Sequence, residues 1–185
     1  MSIDIWLTKE FNRIVKIEDM EEHNKQLALL DAIVVKKNEY DLYMRNYKKL
    51  LLKNDMEERE IYFEERNNMR ISLIEDWELN FANGLTREDK ERILFNEYRW
   101  HAFSYGVKEA LMKAKARQAF NRARKNHVYV FYQNANDVFY IDKAEKLKSS
   151  DFDMEQDVYV ADSDMKWTYI YTHEIQCGPY FVRKK

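Results

Sequence analysis

His173, Glu174 and Cys177 stand within five residues of one another in THEIQCGPYF. A thiol becomes a nucleophile when a base or cation lowers its pKa, and His173 is the base this spacing offers. The chemistry would be hydrolysis or group transfer, with Cys177 attacking and Glu174 and His101 as further candidates. Neither a Gly-rich oxyanion turn nor a helix N-terminus is recognisable around Cys177. HExxC is not the helical HExxH zinc pattern, and a strand would turn His173 and Glu174 to opposite faces. No GxSxG and no phosphate-binding glycine loop occur, so no metal and no cofactor are expected. The competing reading gives His173 the face of Trp167, Tyr169 and Tyr171, where it donates a hydrogen bond within or beside the core. His101 and His127 are the histidines that a sheet could bring nearby.

Two charge runs offer other chemistry. Residues 108–125 carry seven Lys/Arg and one Glu. Lys113, Arg117 and Arg124 border an apolar stripe of Met112, Ala116, Ala119, Phe120 and Ala123, as expected for a helix lying on a sheet between its cationic stems. A phosphate-binding face is the alternative. Residues 151–164 hold six carboxylates but lack the central glycine and terminal glutamate of a calcium loop. These acids are expected to solubilise a loop and a turn, to face the basic helix, or to meet a basic protein.

The elements that must hold these groups divide near residue 84. Residues 1–83 contain no Gly or Pro and carry 13 basic against 18 acidic residues; residues 84–185 hold all three glycines, the proline and 18 of 27 aromatics. The first part is expected to be a helical hairpin or appendage, with one arm along Leu27, Leu30, Val34, Tyr40, Tyr43, Tyr47, Leu50 and Leu51. The polar KNDMEE at 53–58 marks the reversal, and a second arm follows Tyr62, Met69, Leu73 and Trp77. Asn83-Gly84 suits a helix C-cap, and Thr86 with Asp89 a capping box opening a helix over 87–95. The alternation of YRWHAF at 98–103 predicts a strand, and residues 107–123 a helix. HVYVFYQ, VFYI, DVYVAD, WTYIYTHE and GPYFV predict further strands; the fourth and third of these pair across SDMK, and Pro179 places the last at an edge. The fold class is α+β: a long N-terminal helical hairpin, then a mostly antiparallel sheet of five or six strands covered by one or two helices over residues 84–185.

The overall composition excludes several classes. Three glycines and one proline are too few for collagen-like, disordered or turn-dense all-β chains, and 15% aromatic content gives ample material for a core. No apolar run reaches a membrane span, the opening MSIDIWLTKEFNR lacks the pattern of a secretory signal, and a lone cysteine fits a reducing cytoplasm. A net charge of −2 offers no bulk case for nucleic acid.

The succession WHAFSY, RQAFN, VYVFYQ, DVYVAD, WTYIYTHE and CGPYF over roughly residues 77–185 resembles the bacterial, Bacillus-type domain-of-unknown-function family 4275. The resemblance implies no activity and transfers no catalytic residue; small cytoplasmic proteins of this look suggest an immunity, antitoxin-like or mobile-element protein. The expected function is therefore a non-catalytic protein-binding module whose partner is a toxin or host protein. Its surface would use Trp100, Trp167, Tyr169 and Tyr171 with Lys113, Arg117 and Arg124 at the rim. Homodimerisation through the N-terminal helices is a further expectation. The enzyme built on Cys177 and His173 and nucleic-acid binding by the 108–125 helix are the alternatives.

Overall fold

Asp19 opens the longest element of the chain. Its carboxylate accepts the backbone N–H of Glu22 at 2.9 Å and its carbonyl accepts that of His23 at 2.8 Å. With Glu21 and Glu22 in the first turn, the positive helix end is both capped and neutralised. The computed structural model describes residues 3–174 and 176–184. It contains two compact units, residues 1–50 and 51–185.

Helix α1 (Ile3–Ile14) runs back along helix α2 (Met20–Glu58), whose residues 20–50 belong with α1 to the first unit. Arg13 donates to Gln26 at 2.7 Å, and Asp4 pairs with Lys37 at 3.1 Å, which makes the two helices antiparallel. The hairpin expected between an arm over residues 27–51 and one over residues 62–77 does not form; the N-terminal hairpin pairs α1 with α2 instead. Residues 53–58, where the polar KNDMEE predicts a reversal, instead continue α2, because Met56 is fully buried and anchors its last turn. The chain turns at Glu60, which takes φ +62°, and the Ile61 N–H returns to the Met56 carbonyl at 2.8 Å.

The second unit is built on seven strands: β1 (Tyr62–Glu65), β2 (Leu111–Met112), β3 (His127–Tyr132), β4 (Val138–Asp142), β5 (Val158–Asp162), β6 (Trp167–Tyr171) and β7 (Tyr180–Arg183). They form one sheet in the order β1-β4-β3-β5-β6-β7-β2, with every neighbouring pair antiparallel. The architecture is α+β, as expected, with more strands than the five or six foreseen. Tyr62–Glu65 is a strand rather than the start of a helix; Tyr62 is exposed and does not join the stripe that Leu73 and Trp77 bury in helix α3 (Arg70–Phe81). The predicted capping box is present: Thr86 and Asp89 exchange hydrogen bonds at the start of helix α4 (Arg87–Arg92). The predicted strand over 98–103 is instead covered by a single helical turn, α5 (His101–Ser104). Trp100, His101, Ala102 and Phe103 are all buried there, which a half-exposed strand cannot achieve. Helix α6 (Lys113–Arg122) starts later than foreseen because Leu111 and Met112 pair with β7; strand β7 is thus interior, although Pro179 precedes it.

Both faces of the sheet are covered, so β5 and β6 are buried on every residue. On one face Val128, Val130, Val158, Val160, Trp167, Tyr169 and Phe181 meet Ala116 and Phe120 of α6, with Met56, Ile61 and Phe152. On the other, Phe131, Tyr159, Ile170 and Tyr180 meet Leu73, Trp77 and Phe81 of α3, with Phe95, Trp100 and Phe103. The strand period of two sorts these residues between the faces. Trp77 stands edge-on to Tyr159, with ring centroids 5.2 Å apart, and its indole N–H donates to Thr168 Oγ1 at 3.0 Å. Among the described residues no helix is long and apolar enough to cross a membrane.

Candidate functional site

Asp157 leads into β5, and His173 lies two residues past the end of β6, its antiparallel neighbour. The hairpin therefore delivers the two side chains to the same end of the sheet. Asp157 takes φ +48°, a left-handed conformation that Asp tolerates better than most residues. Its buried carboxylate accepts the His173 backbone N–H at 3.1 Å and the ring Nδ1–H at 2.9 and 2.8 Å. A carboxylate can only accept, so this grip fixes the proton on Nδ1 and leaves Nε2 as the outward nitrogen. The His173 side chain is 34% exposed against 6% for Asp157.

An aromatic wall stands beside this ring. Tyr98 lies 5.3 Å and Trp100 5.8 Å from it between centroids, the second edge-on. The same two rings contact His101, at 5.1 and 4.4 Å. His101 is held separately: its Nδ1 meets the Ile93 carbonyl at 2.6 Å, and because a carbonyl only accepts, Nδ1 carries the proton. Beneath the wall, the Tyr159 hydroxyl donates to Gln133 Oε1 at 2.8 Å and accepts the Trp100 backbone N–H at 3.1 Å. Burial pushes the Tyr159 phenol far above its ordinary value, so it acts here as a neutral hydrogen-bonding group.

Cys177 is tied to Glu174 rather than activated. Its thiol donates to Glu174 Oε2 at 3.0 Å, and its backbone N–H reaches the Glu174 carbonyl at 2.9 Å. The hydrogen bond to Glu174, aided by burial, raises the thiol pKa. That is the reverse of what a nucleophilic cysteine requires. The other Glu174 oxygen lies 3.9 Å from His173 Nε2. The turn depends on Gly178: a Cβ there would lie inside van der Waals distance of Thr172, whose hydroxyl donates to the Glu174 carbonyl at 3.0 Å. The structure therefore brings His173, Glu174, Cys177 and His101 into one neighbourhood through Tyr98 and Trp100. The central pair is Asp157–His173, with Glu174 next to the outward nitrogen, an arrangement suited to an oriented general base.

Asp157 and Tyr98 were not expected in this role. By sequence Asp157 belongs to the acidic stretch of residues 151–164. Its position directly before the apolar VYVA, where a solubilising acid serves no purpose, is the signal that sets it apart. Tyr98 carries no comparable mark, since its place follows from the fold of residues 93–104. His127 lies elsewhere, paired with Asp142 at 2.7 Å.

The expected binding residues are placed differently. Trp100, Trp167, Tyr169 and Tyr171 are interior rather than surface residues: α6 covers the sheet face that carries the last three, and Trp100 lies in the segment leading to α5, which packs on the opposite face. Arg117 pairs with Asp153 at 2.7 Å and lies 5.6 Å from the Tyr171 ring, so the basic helix does face one of the acids. The Arg124 guanidinium donates to Asn126 at 3.1 Å, and the Lys113 N–H to the Pro179 carbonyl at 2.8 Å. Lys125 is buried and donates to the carbonyls of Phe120 and Ala123, satisfying the C-terminal end of α6; burial lowers its pKa. Among the described residues no group of three His, Cys, Asp or Glu is placed to hold a metal ion.

A family model described as Domain of unknown function (DUF4275) matches residues 50–181, a span that closely follows the second compact unit. Among curated proteins and among solved structures nothing matches the chain.

Proposed function

Starting from the chain's membership of the DUF4275 family, we propose that this member is a non-catalytic protein-binding module whose binding surface is the helical unit outside the matched span. One observation carries the reading. Of the 22 large apolar residues that stand exposed among the described residues, 13 lie within residues 3–50, where Ile14 and Leu30 are the buried ones. A helical unit with so little interior and so much apolar surface is one that completes itself against another protein. The α+β unit, by contrast, has packed its aromatics inward. Affinity capture with the full chain from its native host should recover a stoichiometric protein. Replacing Phe11 and Ile33 with Asp should abolish the recovery. A toxin among the recovered proteins would make the chain an immunity protein; absence of any specific, surface-dependent partner would overturn the reading.

A second reading, a hydrolase or transferase, draws on the Asp157–His173 pair. Its base would be His173, and the protonated Cys177 would serve as a neighbour rather than as the nucleophile. Ester or amide turnover by the purified chain, lost in His173→Asn with the fold intact, would favour it over binding.

A further inference from the structure

Asn83 is the one asparagine of the sequence that is followed by glycine. The pair forms the turn between α3 and α4, and both residues are exposed. The turn is held from both sides. Ala82 is buried and its N–H donates to the Glu78 carbonyl at 2.9 Å, while Thr86 is committed to the capping box with Asp89. Between these anchors Gly84 takes φ +73°. That conformation suits glycine, and the missing Cβ leaves its nitrogen open to close approach by the preceding side chain. Among the described residues nothing accepts the Gly84 N–H, so no hydrogen bond has to break before that nitrogen reacts.

A cation stands over this turn. The Lys108 backbone is fixed by its N–H, which donates to the Ala102 carbonyl at 2.8 Å. Its ammonium lies 3.4 Å from Asn83 Oδ1 and 3.9 Å from the place a Gly84 Cβ would occupy. A positive charge in that position polarises the Asn83 side-chain carbonyl and stabilises negative charge developing on its oxygen. It also favours the deprotonated form of the neighbouring Gly84 nitrogen. One side chain therefore assists both the electrophile and the nucleophile.

We propose that Asn83 is a site of spontaneous modification, at which the Gly84 nitrogen attacks the Asn83 side-chain amide with the assistance of Lys108. The Gly84 nitrogen gives its proton to solvent and bonds to Asn83 Cγ. The Cγ–Nδ2 bond breaks, and Nδ2 takes up a proton from solvent and leaves as ammonia. Water then opens the cyclic imide at either of its carbonyls. One opening leaves aspartate at position 83; the other leaves an isoaspartyl link, in which the backbone runs through the former side chain. One water is consumed, one ammonia is released, and nothing is oxidised or reduced. The inference is independent of the protein-binding reading. Its product sets a carboxylate beside Lys108 directly after α3, the helix whose Trp77 and Phe81 fill one side of the core. The isoaspartyl form also lengthens the backbone of that joint by a methylene.

The folded full-length chain is incubated at mildly alkaline pH and followed by mass spectrometry, with peptide mapping to separate aspartate from isoaspartate. Asn83 should convert well before Asn134, which is also exposed and precedes alanine. Lys108→Gln should slow the conversion several-fold in the folded chain. In urea the same variant should convert at the rate of the unaltered chain, because the lysine no longer stands over the turn. Gly84→Ala should suppress conversion; alanine is strained at φ +73°, so Lys108→Gln carries the test if that variant fails to fold. Conversion of Asn83 no faster than that of Asn134 would overturn the site. Equal rates for the folded unaltered chain and folded Lys108→Gln would overturn the assistance by Lys108.

Discussion

Asp157 holds His173 twice, by its backbone N–H and by its ring Nδ1–H, with one buried carboxylate serving both. The imidazole therefore has one tautomer and one orientation imposed from within the sheet. In the ¹⁵N spectrum of the neutral ring, Nδ1 should carry the proton. Asp157→Ala should release that preference and cost about 1–3 kcal/mol in urea unfolding, since the His173 donors lose their partner. An unchanged tautomer in that variant would show that the carboxylate does not set it.

The hydrogen bond from Cys177 to Glu174 makes a prediction of opposite sign to that for a catalytic cysteine. Because Glu174 and burial raise the thiol pKa above its ordinary 9.0, alkylation of the folded protein near neutral pH should be slow. Glu174→Gln removes the charge, lowers the pKa and should accelerate alkylation at mildly alkaline pH. The same raised pKa means the folded state favours the protonated thiol. Its contribution to stability is complete below the unfolded pKa and is lost as pH rises through the folded value. Fast alkylation of the unaltered chain at pH 7 would contradict this account.

Thr172 and Gly178 should couple. Gly178→Ala introduces a Cβ that collides with the Thr172 hydroxyl, at an expected cost of about 1–3 kcal/mol. Thr172→Ala removes the obstructing atoms. The double variant should therefore be more stable than the sum of the single changes indicates, a deviation that a double-mutant cycle measures directly. Simple additivity would place the strain elsewhere.

Trp77 tests the core on the face covered by α3. Its ring contacts Phe81, Phe103 and Tyr159, and its N–H is satisfied by Thr168. Trp77→Ala should cost about 3–5 kcal/mol, and Thr168→Val about 1–3 kcal/mol by leaving the indole N–H unpaired in the interior. Thermal or urea melts of the full chain would measure both. A cost near zero for Thr168→Val would show that the indole finds another acceptor.

Much of this fold is legible before any coordinates are known. The Thr86–Asp89 cap, the β5–β6 hairpin across residues 163–166 and the apolar run HVYVFYQ that makes β3 are local signals, and each forms as read. What escaped reading depends on distant partners. Tyr62–Glu65 pairs with residues 139–142, and Leu111–Met112 with residues 180–181; neither segment advertises a strand by itself. The site divides in the same way. The closeness of His173, Glu174 and Cys177 is visible as spacing, but the orienting acid is Asp157, 16 residues earlier, and only the antiparallel return of β6 along β5 brings it there. The buried aromatics misled for a related reason: without knowing that helices cover both sheet faces, Trp167 and Tyr169 read equally well as surface or interior.

The strand order places β1 and β2 at the two margins of the sheet, and both are short. Strand β1 has four residues, two of them glutamates, and β2 has two residues before Lys113 turns to φ +56°. The outer backbone of a sheet is a template on which another chain can add a strand. A long apolar margin on a sheet this rich in tyrosine and valine would invite stacking into aggregates. Here each margin ends almost as soon as it begins, one in charge and the other in a bend, so the sheet stops growing at seven strands.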